Sequence, residues 1–419
     1  MRLAVHWQIL IALALAVLAG LVLDADGAVG GTVVPVLDFV GKMFLNALKM
    51  IIVPLIVASI IIGIGNLGAG KLGALGGKTL LYYLATSSLA IIAGLFLVNL
   101  IQPGLVGDGI PAKEVLGLHE DTGQITEKVA GRSGADVIAV FLRMIPTNIV
   151  AAAAEGQMLG LIFFSLLFGY FMERVFKGGR DTLHTFWQGV QEVMMKITNL
   201  IMLFAPIGVF ALVGKVVITS GLEVFIPLAS FFFTVLGALA LHMFVILPLL
   251  MRAFGISPLR HFRAMLAALL TAFSTSSSSA TLPVTLDCVR SRAGVSNRVG
   301  SFVLPLGATV NMDGTALYEC VAVLFLAQAY GLDLSAAQQA TVVVLALMTS
   351  IGVAGIPAAS LVAIVLILGV VGLPAEAVGL ILAVDRLLDM CRTSVNVFGD
   401  SSGAVVIARS EGEETAVRA

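Results

Sequence analysis

Long apolar blocks such as Ile51–Ile64 and Phe231–Met251 set the terms for this chain. A helix that crosses roughly 30 Å of hydrocarbon needs about 20 apolar residues in a row. With 59% hydrophobic and 12% charged residues over 419 positions, and a mean hydropathy of +1.06, no single water-soluble core could hide the apolar side chains. The chain reads as an all-α polytopic membrane protein. Its formal net charge of −1 gives no electrostatic footprint for nucleic acid. Cys288, Cys320 and Cys391 lie in apolar surroundings without CxxC spacing, so they read as small buried hydrophobes. The five histidines form no metal motif. Met1–Leu23 starts like a signal peptide but meets no A-x-A-like site, so an uncleaved first membrane helix is expected.

Spanning helices are expected near 6–23, 34–66, 79–101, 136–173, 183–216 and 223–251, the fourth kinked or segmented at Pro146 and Gly156. A mixed-charge stretch over 103–135 reads as an exposed loop. Arg2, then Lys71 and Lys78, then Arg174, Lys177 and Arg180, then Arg252, Arg260 and Arg263 mark alternate ends of successive crossings. The positive-inside rule therefore puts the N-terminus in the cytoplasm.

Two later segments, 258–292 and 335–371, are apolar at both ends and interrupted by small and polar residues, Ser274–Pro283 in one and Ser350–Pro357 in the other. Each arm is too short to cross alone, so a re-entrant hairpin is the natural shape. Basic residues flank the first hairpin, whereas Asp333 and Glu376 flank the second, so the two open to opposite sides. A helix rich in polar residues comes after each, near 298–330 and 376–409. Two hairpin–helix units of opposite orientation make an inverted repeat, an arrangement that places binding groups at the bilayer midplane.

The last helix carries the chemistry. Asp385, Asp389, Arg392, Asn396 and Asp400 fall on headings of about 0°, 40°, −20°, 20° and 60° at 100° per residue, one narrow face. Each charge at a membrane-helix centre costs about 2.5–3.5 kcal/mol on insertion scales, which makes five polar groups on one face hard to explain as a structural stripe. In Asn311–Thr315 a continuous helix would aim Asp313 away from Asn311, so local unwinding, helped by Gly314, is expected there. The serine run Ser276–Ser279 alone would be a flexible loop. At a hairpin tip its hydroxyls and backbone N–H groups suit a carboxylate. A serine hydrolase is a poor alternative, because His242 and His261 have no reason to reach Ser277.

SSSSATLPVT, NMDGTALYE, SIGVAGIP and DMCRTSVNVFGD, in this order and spacing, resemble the glutamate/dicarboxylate:cation symporter family. The resemblance covers essentially the whole chain. It implies eight transmembrane helices with two re-entrant hairpins in an elevator-type homotrimer, in contact with membrane lipid. Residues 1–66 and 136–220 would form the scaffold, 67–102 and 221–409 the transport domain, 103–135 an extracellular loop and 410–419 a cytoplasmic tail. The implied location is a bacterial inner or plasma membrane with both termini cytoplasmic. No cofactor is implied; the transported ions would be Na⁺, with H⁺ as a further coupled ion.

Carried over by motif, the substrate site would use Ser276, Ser278, Thr315, Ile356, Ser360, Asp389, Arg392, Thr393 and Asn396. One sodium site would use Asn311, Asn396 and Asp400 with the carbonyl of Gly307, and a second the carbonyls of Thr309, Ser350, Ile351 and Val353. A third would use Tyr83, Thr86 and Ser87 with Asn311 and Asp313. Glu319 would carry the proton, since burial disfavours its charged form. Archaeal relatives place an arginine at the position of Ser276 and eukaryotic ones at that of Met390; this chain has neither.

Three functions compete. The first is cation-driven uptake of aspartate or glutamate. The second is a C4-dicarboxylate or neutral amino-acid carrier of the same fold, and the third an anion channel. Asp389 favours the first, because it sits one turn from Arg392 and offers an acceptor for an α-amino group. With Glu319 protonated, Asp313, Asp385, Asp389 and Asp400 against Arg392 leave an excess of three negative charges. An anionic substrate entering such a site needs cations to arrive with it.

Overall fold

The computed structural model describes residues 5–23, 27, 29–65, 74–107, 109–113, 115–116, 145–154, 158–350, 359–374 and 377–418. The chain opens with α1 (Val5–Val22) and α2 (Gly30–Gly65), the latter continuous through Pro35 and Pro54 and longer than its apolar block. After α3 (Ala74–Ile101) the polar connection begins with a small antiparallel pair, β1 (Leu105–Val106) and β2 (Ile110–Pro111). Of the fourth expected span the described residues include α4 (Ile149–Ala154) and α5 (Met158–Met172). Pro146 stands ahead of α4, and Gly156 lies outside the described residues.

The span expected as one helix over 183–216 is two: α6 (Lys177–Leu203) and α7 (Ala205–Ser220), bent by 53°. Pro206 sits in the first turn of α7, where its missing N–H costs nothing but cannot continue α6. The next span holds α8 (Phe225–Leu241), a π turn at His242–Ile246 and α9 (Leu247–Ala253). A π turn adds one residue to the helix and re-aims the side chains beyond it.

The first hairpin consists of α10 (Pro258–Thr275) and α11 (Ser278–Ser291), packed together and joined through Ser276 and Ser277. Ser276 takes a left-handed φ of 50°, and the Ser277 hydroxyl caps α11 by accepting from the Ala280 N–H at 3.2 Å. Then come α12 (Asn297–Val310) and α13 (Asp313–Ala329), separated at Asn311–Met312. The arms of the second hairpin, α14 (Ala336–Ser350) and α15 (Ala359–Val371), also pack together; its tip, 351–358, lies outside the described residues. The long α16 (Val378–Ser410) closes the bundle.

Packing sorts these helices into two groups. α1 lies on α7, and α2 on α5, α6 and α7. α3, α8 and α10 to α16 pack among themselves around α13, whose residues are nearly all buried. Leu21, Phe39, Leu81, Phe186 and Phe233 stand exposed, as lipid-facing side chains would. By length and apolarity, Leu75–Ile101, Leu222–Ala253 and Asn297–Ala329 can each cross a bilayer among the described residues.

Beyond α16 the chain folds back over the ends of its own neighbours. Glu411 meets Lys78 at 2.6 Å and Arg298 at 3.1 Å, and Glu413 accepts from the Ser296 hydroxyl at 2.6 Å. The Ala416 N–H reaches the Ala293 carbonyl at 2.9 Å, and the Ser257 N–H donates to the Val417 carbonyl at 2.8 Å. Gly294, at φ +73°, lies where a Cβ would come within 2.8 Å of the Ala416 nitrogen, so the contact depends on glycine. Lys78 and Arg298 hold the Glu411 carboxyl below its usual range.

Candidate functional site

Two polar clusters lie inside the group of α3 and α8 to α16. The break between α12 and α13 creates the first. Asn311 leaves helical geometry, and its amide donates to Asp400 Oδ1 at 2.9 Å. Asp313 begins α13 and collects hydroxyls from α3: Ser87 at 2.7 Å and Thr86 at 3.2 Å on Oδ1. Thr86 also reaches Asn311 Oδ1 at 3.3 Å, and the Tyr83 hydroxyl donates to the Val303 carbonyl at 2.8 Å. Gly307 brings α12 so close that a Cβ would stand 2.5 Å from Asp400 Oδ1 and 2.6 Å from the Tyr83 oxygen. Oxygen ligands from carboxylate, amide, hydroxyl and backbone around one break are what a hard cation takes.

The unwinding expected within Asn311–Thr315 therefore exists, at Asn311–Met312, and Gly314 lies just beyond it. Gly314 is helical and serves a close approach: its Cβ would meet the Arg392 carbonyl at 2.9 Å, and its N–H donates to Asn396 Oδ1 at 2.8 Å. His242, which sequence reasoning set aside as one of five scattered histidines, completes this cluster. Its Nε2 lies 3.0 Å from Asp313 Oδ2, both groups fully buried. The carboxylate can only accept, so the Nε2–H donates.

The second cluster surrounds Arg392, which is 1% exposed. Its Nη1 donates to the Ser360 hydroxyl at 2.7 Å, and its Nη2 to Asp389 at 2.9 Å and Asp385 at 3.1 Å. The guanidinium lies over the Tyr318 ring, 3.8 Å from its centroid. Arg386 approaches Asp389 Oδ2 at 3.3 Å. It was missed in the sequence because its heading, about 100° from Asp385, leaves the polar face; its i,i+3 spacing to Asp389 was the available signal. With Arg386 included, the excess negative charge falls from three to two.

Other expected site residues take these places. Asn396 donates to Thr315 at 3.1 Å, and the Thr393 hydroxyl bonds back to the Asp389 carbonyl at 2.8 Å. Ser276 and Ser278 are buried, and the Ser276 hydroxyl has no partner among the described residues. Thr309 bonds back along α12, and Ser350, buried at the end of α14, donates to the Leu347 carbonyl at 2.9 Å. Ile351, Val353 and Ile356 lie outside the described residues. Glu319 is apart from both clusters, fully buried, and accepts from Thr349 at 2.6 Å.

Broken helices around buried charge, in a bundle with apolar side chains turned outward, define a membrane carrier. The chain belongs to the sodium:dicarboxylate symporter family, whose model matches residues 5–410. It is 36% identical over 415 residues to the proton/sodium-glutamate symport protein of Bacillus caldotenax, covering 98% of this chain and 96% of that one. It is likewise 36% identical over 412 residues to the Escherichia coli proton/glutamate-aspartate symporter, covering 98% and 93%. The mouse excitatory amino acid transporter 3 is 36% identical over 452 residues, with 98% and 86% covered. The family is one of transporters, not enzymes.

Proposed function

We propose that this protein is a secondary active symporter that takes up an acidic amino acid, aspartate or glutamate, with sodium ions and a proton. The observation that carries the reading is the pair Asp389 and Arg392, one turn apart and both buried. Arg392 offers a planar fork for a side-chain carboxylate and Asp389 an acceptor for the α-ammonium. Ser276, Ser278, Thr315, Ile356, Ser360, Thr393 and Asn396 complete the substrate site. The names of the relatives, glutamate and glutamate-aspartate symporters, support the same substrate class.

Sodium would occupy the oxygen cluster around Asp313 and Asp400, with a further site at the second hairpin. Glu319 would hold the proton, with Thr349 fixing its orientation. In this reading the helices form eight spans and two re-entrant hairpins, in a homotrimer of the plasma membrane with both termini cytoplasmic. The group of α3 and α8 to α16, which contains both clusters, moves as an elevator against the scaffold of α1, α2 and α4 to α7.

The test is uptake by the purified protein in liposomes under imposed Na⁺, H⁺ and K⁺ gradients. Glutamate or aspartate accumulates only with inward sodium, and counterflow accelerates exchange, which a channel does not do. Uptake that runs equally well in sodium-free buffer would falsify the coupling. The C4-dicarboxylate alternative is separated by competition: succinate competing as well as aspartate overturns the role of Asp389. Asp389→Asn should weaken aspartate by about 1.5–3 kcal/mol, the worth of a hydrogen bond to a charged group.

A further inference from the structure

Asp389 is gripped from two sides. Its Oδ1 accepts from Arg392 at 2.9 Å and its Oδ2 from Arg386 at 3.3 Å. The two arginines differ in their other partners. Arg392 is also tied to Asp385, Ser360 and the Tyr318 ring. Like Arg392, Arg386 keeps a buried Nε–H with no acceptor among the described residues. Its side chain is 13% exposed, so it does not simply reach out to water.

Asp385, Asp389, Arg386 and Arg392 together carry no net charge, two aspartates against two arginines. An acidic amino acid brings two carboxylates and one ammonium. When the Arg392 fork turns to the side-chain carboxylate, the ammonium takes Asp389 Oδ1 in its place. Arg386 can stay on Oδ2 throughout. The loaded cluster then holds one excess negative charge; without Arg386 it would hold two.

We propose that Arg386 is a positioning residue of the substrate site, holding Asp389 by its second oxygen so that the carboxylate stays aimed and the charge stays balanced when Arg392 turns to the substrate. This rests on the acidic amino-acid reading above. A helix-stabilising i,i+3 pair would show the same contact but would not separate anion from cation binding. Removing a balancing positive charge disfavours an anion and favours a cation, whereas a damaged fold weakens both.

The experiment uses the full chain, purified, with glutamate affinity measured at saturating sodium and sodium affinity measured without substrate. Arg386→Gln should weaken glutamate by about tenfold or more and leave sodium binding undiminished. Arg386→Lys keeps the charge and loses the fork, so glutamate should return to within about threefold of the parent. Glutamate affinity within about twofold of the parent in the glutamine variant overturns the proposal. So does joint weakening of glutamate and sodium with no recovery in the lysine variant. If Arg386→Gln does not fold, Arg386→Met, which keeps the packing of the stem without the charge, is read against the same two outcomes. A parent that binds neither glutamate nor aspartate overturns the functional reading and this inference together; a binding parent with an unaffected variant overturns this inference alone.

Discussion

The two clusters on α16 handle charge in opposite ways. Around Arg392, two aspartates face two arginines, and each carboxylate has a cationic partner. Around Asp313 and Asp400, two carboxylates share hydroxyls, an amide and one imidazole, with no lysine or arginine among their described partners. A paired cluster can exist without ligand, because its charges satisfy one another. An unpaired one carries a large desolvation cost, which bound cations or protonation offset. On the reading proposed above, the difference separates the part of the interior suited to an anion from the part suited to positive ions.

The sharpest way to break this contrast is Arg392→Cys. Removing one partner from a buried ion pair costs about 3–5 kcal/mol, so acidic amino-acid uptake should vanish, with neutral amino acids the substrates to try next. Unchanged glutamate affinity would show that the paired cluster is structural. Next in size is Asp313→Asn, which should weaken sodium by about tenfold or more while sparing glutamate affinity at saturating sodium. Equal losses of both ligands would erase the distinction between the clusters.

Glu319→Gln sharpens it further, because Glu319 belongs to neither cluster. The variant should keep substrate exchange while losing net uptake and its pH dependence, read in proteoliposomes across a pH series. A parent-like profile would make Glu319 a fixed hydrogen-bonding group. The smallest effect is expected outside the membrane, at Glu411→Gln. Its carboxyl is held below the ordinary 4.5 by Lys78 and Arg298, so the contact stabilises the fold above that pH. The benefit disappears as pH falls through the lowered value. The variant should therefore melt slightly earlier than the parent at pH 7, with the gap narrowing as the pH is taken down through and below 4.5.

The polar face of α16 was legible because a regular helix of known pitch puts Asp385, Asp389, Arg392, Asn396 and Asp400 on one side. The same rule missed Arg386, whose long side chain bends back to Asp389 from another heading. It also missed His242, which reaches Asp313 from a different helix, a pairing that no periodicity contains. The break before Asp313 was foreseen from the need to aim two side chains together. It falls within the expected Asn311–Thr315, but Gly314 serves packing against Arg392 rather than the unwinding. The bend between α6 and α7 was overlooked for a plainer reason: Pro206 lies inside an apolar run that reads as one span over 183–216. Family membership, by contrast, was legible in the four motifs, and the matched residues 5–410 bear it out.

The segment after α16 has a consequence for the order in which this protein can be made. Residues 411–418 tie together the start of α3, the entry to the first hairpin and the turn that leaves it. All of those elements leave the ribosome earlier, α3 by more than three hundred residues. They must therefore sit in the bilayer with Lys78, Arg298 and the Ala293 carbonyl unclasped until synthesis passes residue 418. During that interval the nascent first hairpin has its ends untied, and a stall in translation just short of Glu411 would hold it there.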